Sequence, residues 1–565
     1  MNFVFNNEAN RPGTPDPEGR PVPVKIESRA AEVSPSRVLQ CTDPARGEIF
    51  HELTCAGPEE VDRAVNAATL AWAMWRGTDI KERLAGLKRL ADLIREQAPI
   101  IAELIAREMG RPASEALALE ILPALDYLNY LAVHAEDAYV GRPIQPRHVF
   151  HTHKRVHYLY EPYGLIAVVT PYSVPFALPL AQVAAALAMG NAVLLKPSEL
   201  TPLCGLKIGE LCRQAGLPEG LVQVLPMKKE DALFLVSHPG VDKIFVTGSP
   251  ETGRQVMAIA GCIPKPVVLS LGSKNPAVVA NDADLERTAR GVVWGSLVSS
   301  GQHCDAIERV YVTEAIASRF VEKVLVEVDK LVIGNPMDAT VDLGPLISAW
   351  RRNHIHSQVT DAVARGGQLL RGGHLPDDPG FFYPPTVVLN PPPDCRLMKE
   401  ETLGPVVSIT VVDSLERAIF LANETDFSLS ASGWTSSSEK AERMMVGLQA
   451  GVVTINDVLW APSEPAASRA GYRMSGLGQL QGIEGLQEMC RRRLVAYDAQ
   501  AARGPLFSFP YDREQEQLVG GAMDLLHAST LPKRIRGLIR LLTLKRFRTR
   551  VPGRLLLLRS KRRKK

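Results

Sequence analysis

Between Leu165 and Leu195 the chain carries no charged residue. The run is long enough to span a bilayer, but Pro171, Pro175 and Pro179 interrupt it and Gly190-Asn191 punctuates its far end. The pattern therefore predicts a strand (Leu165–Thr170), a Pro-rich loop, an Ala-rich buried helix (about Leu180–Met189) and a second strand (Ala192–Leu195). That is one βαβ unit of a parallel sheet covered on both faces. The alternation continues with a helix at Gly205–Ala215, strands at Leu221–Leu225 and Lys243–Val246, a helix at Glu251–Ala260 and a strand at Val267–Leu271. A second alternating series runs from Leu285 to about Asn456, opening with a helix to Ser300 and a strand at Arg309–Thr313. Both series read as doubly wound α/β structure.

Upstream, helical spacing predicts Pro58–Arg76 and Ile80–Met109, the latter closed by Gly110 with Pro112 just beyond. Residues between Gly141 and Tyr160 alternate and are rich in His, Arg and Tyr, as in an exposed hairpin or arm. Residues 1–34, rich in Pro, Asn and Glu, read as a disordered leader.

The length of 565 residues suggests two to four domains. An apolar share of 45% and a charged share of 22% exclude a wholly disordered, collagenous or disulfide-scaffold chain. The net charge of +3 conceals an asymmetry: Lys533 to Lys565 hold 15 Lys/Arg and no acid, leaving 50 basic and 62 acidic groups before them. None of the eight cysteines lies in a C-x-x-C pair, so no metal site is expected. They are too sparse for a disulfide framework, and Met1 to Gly13 lacks signal-peptide character. A reducing, cytoplasmic setting is the expectation.

Three local patterns carry chemistry. In Phe245-Val246-Thr247-Gly248-Ser249-Pro250 a strand ends at Gly248, Ser249 can cap the next helix, and Pro250 suits its first position. Free N–H groups at such a turn can hold a pyrophosphate, although a plain βα turn fits as well. Lys196-Pro197-Ser198-Glu199 follows a buried strand, where parallel sheets bind ligands, or is a solvated loop with two ordinary charges. Cys304, in Gly301-Gln302-His303-Cys304, is either a small buried hydrophobe or a thiolate nucleophile on a loop.

Together these residues resemble the aldehyde dehydrogenase superfamily from about residue 35 to 500. The landmarks stand in the family's order: Pro171-Tyr-Ser-Val-Pro175, Lys196-Pro-Ser-Glu199, Thr247-Gly-Ser249, Leu269-Ser-Leu-Gly-Ser-Lys-Asn-Pro276 and Gly301-Gln-His-Cys304. Asp342-Leu-Gly-Pro-Leu346, Gly380-Phe-Phe-Tyr-Pro-Pro-Thr386, Glu400-Glu-Thr-Leu-Gly-Pro405 and Gly471-Tyr-Arg-Met-Ser-Gly476 follow.

The resemblance implies a Rossmann-type NAD-binding domain (35–140 and 161–275), a second α/β catalytic domain (276–465), an oligomerisation arm (141–160 and 466–500) and a tail (501–565). It makes Cys304 the nucleophile that forms a thiohemiacetal and then a thioester with an aldehyde. Lys196, Ser198 and Glu199 would hold the cofactor ribose, Gly248 and Ser249 the pyrophosphate, and Glu401 the nicotinamide ribose. A Glu at position 199 suits NAD, with NADP left open. The family also implies a homo-oligomer.

Two catalytic positions depart from the family. The oxyanion-stabilising Asn of its Pro-Trp-Asn loop is Ser173 here, and the general-base Glu of its Glu-Leu-Gly-Gly stretch is Ser270. Losing one oxyanion donor can slow a reaction by about 10²–10³, and a general base contributes about 10²–10⁴. Further departures are Leu403 for Phe, Ser468-Arg-Ala-Gly471 for Pro-Phe-Gly-Gly, and Gln479 for Arg. Two readings follow. One is an active oxidoreductase whose thioester leaves without that Glu, to coenzyme A or with His303 or Asp305 as a substitute base. The other is a binding or assembly subunit that keeps the fold and the cofactor pocket.

Beyond the resemblance, Leu531–Leu544 interleaves Leu and Ile with Lys and Arg, and drawn as a helix it is basic and amphipathic. Pro552-Gly553 ends it, and Arg554-Leu-Leu-Leu-Leu558 with Lys561–Lys565 follows. This composition suits the anionic inner face of a membrane. A nucleic acid is the competing partner, but one aromatic, Phe547, supports little base stacking, so no specific nucleic acid is expected; a solvated, disordered tail is the third reading.

Overall fold

The computed structural model describes residues 37–139, 143–146, 151, 154–498, 507 and 509–550. The expected leader, part of the Gly141–Tyr160 segment and the last residues of the tail lie outside them. The chain divides into Met1–Val38, of which only Arg37 and Val38 are described, and Leu39–Lys565, whose architecture follows.

The charge-free run folds as the strand Leu165–Val169, the helix Ala177–Ala188 and the strand Ala192–Lys196. These strands sit inside a sheet whose parallel members run Val222–Val224, Ala192–Lys196, Leu165–Val169, Lys243–Thr247 and Val267–Ser270 in spatial order. The short antiparallel strand Gly476–Leu477 closes one edge. Every residue of Leu165–Val169 is buried, as expected for strands with helices on both faces. The helix begins at Ala177, ahead of the expected Leu180, because the Glu120 carboxylate accepts the N–H groups of Phe176 and Ala177 at 2.8 and 3.1 Å. Similarly, Ile80–Met109 is two helices, Ile80–Glu96 and Ala98–Met109, parted where Pro99 can neither donate nor pack into a continuing helix. Gly110 ends the second with φ of 84°.

The second sheet has spatial order Gln368–Arg371, Thr386–Leu389, Val406–Val412, Ile307–Thr313, Asn275–Val279, Ser430–Trp434 and Val452–Ile455. All neighbours pair in parallel except Gln368–Arg371, which is antiparallel. The chain crosses from one sheet to the other between Ser270 and Asn275.

The arm differs from a local hairpin. Strand Lys154–Pro162 pairs along its whole length with the distant strand Cys490–Asp498, antiparallel, from Cys490 opposite Pro162 to Asp498 opposite Lys154. The tail differs too. Leu531–Thr543 is the expected amphipathic helix, but a second helix, Arg513–His527, folds against it. Leu518 and Ala522 meet Leu541, Leu544 and Phe547, and Gly521 and Gly537 let the backbones approach. Leu531, Ile535, Ile539 and Leu542 remain exposed.

One helical run, Ala113–Tyr139, passes the length and composition test for a membrane span. Near its start, Leu117–Ile121 form a π turn, which carries about one residue more per turn than an α-helix, and there Glu120 is fully buried.

Candidate active site

The loop that presents Cys304 is set by backbone handedness. The helix Leu285–Leu297 stops short of Ser300, and Ser299, Ser300 and Gly301 follow with φ of 54°, 54° and 71°. Left-handed backbone is unfavourable for serine, so these residues are tied down. Glu115 Oε2 accepts Ser299 N and Oγ at 2.9 and 3.0 Å, and Ser300 Oγ donates to Gly344 O at 2.7 Å. At Gly301 a Cβ would strike the Gly404 carbonyl, so two backbones touch there. Gln302 then accepts the Ile347 N–H at 2.9 Å. The Cys304 carbonyl accepts Ser273 Oγ at 2.6 Å and Asn275 Nδ2 at 2.8 Å, which fixes the residue to the crossing between the sheets.

The loop before the helix Ala177–Ala188 is clamped from the other side. Arg111 and Glu120, both fully buried, form an ion pair, and Arg111 Nη2 donates to the Ser173 carbonyl at 2.7 Å. Val174 and Cys304 share a cavity of about 70 Å³, walled by Leu178, Ala181, Leu480 and Tyr127, with His303, Arg469 and Gln479 as polar members. The lining includes neither Ser173 nor Ser270. Ser173 is buried, and Ser270 ends its strand with its carbonyl accepting the Gly248 N–H at 3.0 Å. Neither hydroxyl finds a hydrogen-bonding partner among the described residues.

The residues matched to the cofactor lie at the carboxyl ends of the first sheet's parallel strands, flanking its first strand. Lys196 ends one strand, Thr247 another, and Gly248-Ser249 leads into the helix Pro250–Cys262, which Ser249 Oγ caps by accepting Thr252 N at 3.3 Å. A Cβ at Gly248 would meet nothing closer than Thr252 at 3.9 Å, so the turn is open to a ligand. Lys196 is buried, burial holds its pKa below the usual lysine value, and its ammonium has no hydrogen-bonding partner among the described residues. Such a cation fits an oxygen-rich ligand. Ser198 instead closes a turn, accepting Leu200 N at 3.1 Å, and Glu199 accepts Lys229 N at 2.8 Å. Glu401 stands at the crossing, its carboxylate accepting Ser273 N at 2.9 Å; burial and then Glu308 push its pKa up to about 7.

Around the thiol the charges are paired. Cys304 Sγ donates to Asp305 Oδ2 at 3.3 Å, and Arg469 Nη1 donates to the same oxygen at 3.0 Å. Burial, then Asp305, raise the thiol pKa well above its ordinary value. Burial opposes ionisation of Asp305 too, but Arg469 and His303 outweigh it and hold the carboxyl below the usual range. Burial lowers His303 to about 4, and its Nδ1 accepts the Asp305 N–H at 3.1 Å, so the ring is neutral with its acceptor nitrogen engaged. His303, Cys304 and Asp305 have polar side-chain atoms within 4.8 Å of one another, but Arg469 holds the carboxylate and the His303 Nδ1 is spent on the Asp305 N–H, so the three form a charge-paired cluster rather than a metal site.

Sequence reasoning marked Arg469 only as a departure from an aromatic, and it missed Glu115, Arg111 and Glu120 altogether. Charged residues set in and just before an apolar helical run, Glu115 and Glu120 within it and Arg111 in the turn that leads to it, were the signal that could have found these three.

The sequence profile of the aldehyde dehydrogenase family matches residues 31–495. Lactaldehyde dehydrogenase from Escherichia coli is 31% identical, with 82% of this chain and 96% of that chain covered and a TM-score of 0.79. An NAD-dependent aldehyde dehydrogenase from Sinorhizobium meliloti is 32% identical over 81% and 91% of the two chains, with a TM-score of 0.78. An NADP-dependent enzyme from E. coli is 30% identical over 81% and 94%, also at 0.78. The chain belongs to the aldehyde dehydrogenase family of NAD(P)-dependent oxidoreductases.

Proposed function

We infer that the protein oxidises an aldehyde through Cys304, and that the thioester so formed is passed to coenzyme A. The observation that carries this reading is the placement of Cys304: fixed through its carbonyl at the crossing of the sheets and opening on an apolar cavity. The attacking sulfur forms a C–S bond and turns the carbonyl oxygen into an alkoxide, giving the thiohemiacetal. When bound, NAD(P) supplies the hydride acceptor. Lys196 and Glu199 would hold its adenosine ribose, with Ser198 shaping their turn. Gly248 and Ser249 would face the pyrophosphate, and Glu401 would hold the nicotinamide ribose. At the family's base position Ser270 offers no carboxylate, and an unassisted hydroxyl is a poor base near pH 7. Coenzyme A, whose thiol attacks a thioester without that carboxylate, is the acceptor this favours.

First-turnover measurements test this with purified protein, NAD and short to long aldehydes, with and without coenzyme A. A burst near one NADH per chain that stalls, then resumes with coenzyme A, is expected. Steady turnover without coenzyme A would assign deacylation to water and another base. Cofactor binding with no burst for any aldehyde would make the chain a binding or assembly subunit.

We propose further that the protein is cytoplasmic, assembles with copies of itself through the ribbon of Lys154–Pro162 and Cys490–Asp498, and docks through its tail on an anionic membrane surface. The exposed Leu531, Ile535, Ile539 and Leu542 lie on a helix carrying Lys533, Arg534, Arg536 and Arg540. Each basic residue near such a surface contributes about 1 kcal/mol. Sedimentation with phosphatidylglycerol vesicles, but not phosphatidylcholine vesicles, is expected, weakening with salt and lost on deleting residues 531–565. Equal binding to both lipids, or binding to duplex DNA alone, would overturn the assignment.

A further inference from the structure

We propose that Asp305 and Arg469 together activate Cys304: Asp305 takes the thiol proton as sulfur adds to the aldehyde, and Arg469 turns from Asp305 to the oxygen that becomes negative. The proposal rests on the aldehyde-oxidising reading and places in one side-chain pair what Ser173 and Ser270 lack.

The geometry points to it in three ways. The thiol and the guanidinium meet the same carboxylate atom, Asp305 Oδ2, at 3.3 and 3.0 Å. Both Cys304 and Arg469 line the cavity that receives substrate in this reading. Arg469 Nε is buried and has no hydrogen-bonding partner among the described residues, an orphaned donor that costs free energy unless a ligand oxygen meets it. His303 is not the acceptor, because its free lone pair is spent on the Asp305 N–H.

The step balances. The C–S bond forms, the carbonyl π pair moves to oxygen, and the proton passes from Sγ to Oδ2. Before it, the pocket holds a carboxylate and a guanidinium; after it, an alkoxide, the same guanidinium and a neutral carboxylic acid. The net buried charge is unchanged, so no unpaired ion is created in a low dielectric. The exchange also answers the objection that Asp305 is a weak base. Its low proton affinity is enforced first by Arg469; once the guanidinium faces the alkoxide and the thiol has given up its proton, two of the influences that hold the carboxyl down are gone, and burial, the largest influence on it, favours its protonated form.

The test follows iodoacetamide alkylation of Cys304 against pH by peptide mapping of the full-length protein, beside the first-turnover NADH rate. Asp305→Asn removes a negative charge next to the thiol, so the alkylation midpoint falls. The burst slows by about 100-fold, the lower range for loss of a proton acceptor. Arg469→Gln raises the midpoint and slows the burst, and Arg469→Lys, which keeps the charge, restores most of both and guards against a folding artefact. A merely structural role for Asp305 would not speed alkylation while slowing the burst. A burst in Asp305→Asn within threefold of the parent, or a midpoint that rises, overturns the proposal. If the parent shows no burst with any aldehyde, the aldehyde-oxidising reading fails. The midpoints need neither cofactor nor substrate: opposite shifts in Asp305→Asn and Arg469→Gln still support the coupled pair, and unchanged midpoints overturn it.

Discussion

Cys304→Ala is expected to lower NADH formation by at least about 10⁴-fold while leaving the fold and cofactor binding in place. The size follows from the role proposed for it: deleting a covalent nucleophile removes the pathway rather than one contact within it, and losses of that order or greater are typical. The specificity follows from the geometry. Cys304 is held in place through its carbonyl, by Ser273 Oγ and Asn275 Nδ2, and an alanine keeps both bonds. Among the described residues the side chain's only hydrogen bond is Sγ to Asp305, which Arg469 also satisfies. Absorbance over the first turnover reads the chemistry, and cofactor titration with thermal melting reads the rest. A variant retaining more than about one hundredth of the parent burst would mean that another group attacks the aldehyde.

Glu308→Ala is expected to destabilise the protein by about 3–5 kcal/mol, the usual consequence of removing one partner from a buried ion pair. Glu308 accepts Lys274 Nζ at 2.6 Å, Thr402 N at 3.0 Å and Leu403 N at 3.0 Å. Lys274 is fully enclosed, so its ammonium would be left with Thr402 Oγ1 alone, at 2.8 Å. Leu403, with φ of 47°, would lose the bond that holds its left-handed backbone. Denaturant midpoints measure the loss. The double variant Glu308→Ala with Lys274→Met should recover much of it, because no uncompensated charge remains; a double variant as unstable as the single one would locate the cost in the orphaned amides instead. Glu401 precedes Thr402, so the single variant should also weaken cofactor binding.

What could be read in advance was whatever depended on neighbours in the chain. The Leu165–Leu195 run declared itself by lacking charge. Ser249 and Pro250 marked a helix start, and the tail helix showed its two faces. Gly301 before Cys304 announced a break, although not the left-handed Ser299 and Ser300 that precede it. The unreadable parts are pairings across long separations. Strand Lys154–Pro162 carries no signal for Cys490–Asp498, so alternation alone suggested a hairpin. Asp305 and Arg469 are 164 residues apart; each stands out singly, but only folding makes them a pair. The second tail helix was missed because its apolar residues make sense only against the partner they pack on.

The π turn at Leu117–Ile121 bears on how length changes act in this protein. An α-helix advances about 100° per residue. A turn holding one residue too many therefore works as a phase offset between Ala113–Ala116 and Leu122–Tyr139. Shortening the turn by one residue would let the helix run on unbroken, yet rotate its first turn by more than a quarter of a circle against the rest. Glu115, which grips Ser299, would then face elsewhere, and the loop that carries Cys304 would lose its tether without any residue near the thiol having changed. At this place chain length sets an angle, so aligned sequences that differ by a single gap here differ in orientation rather than in content.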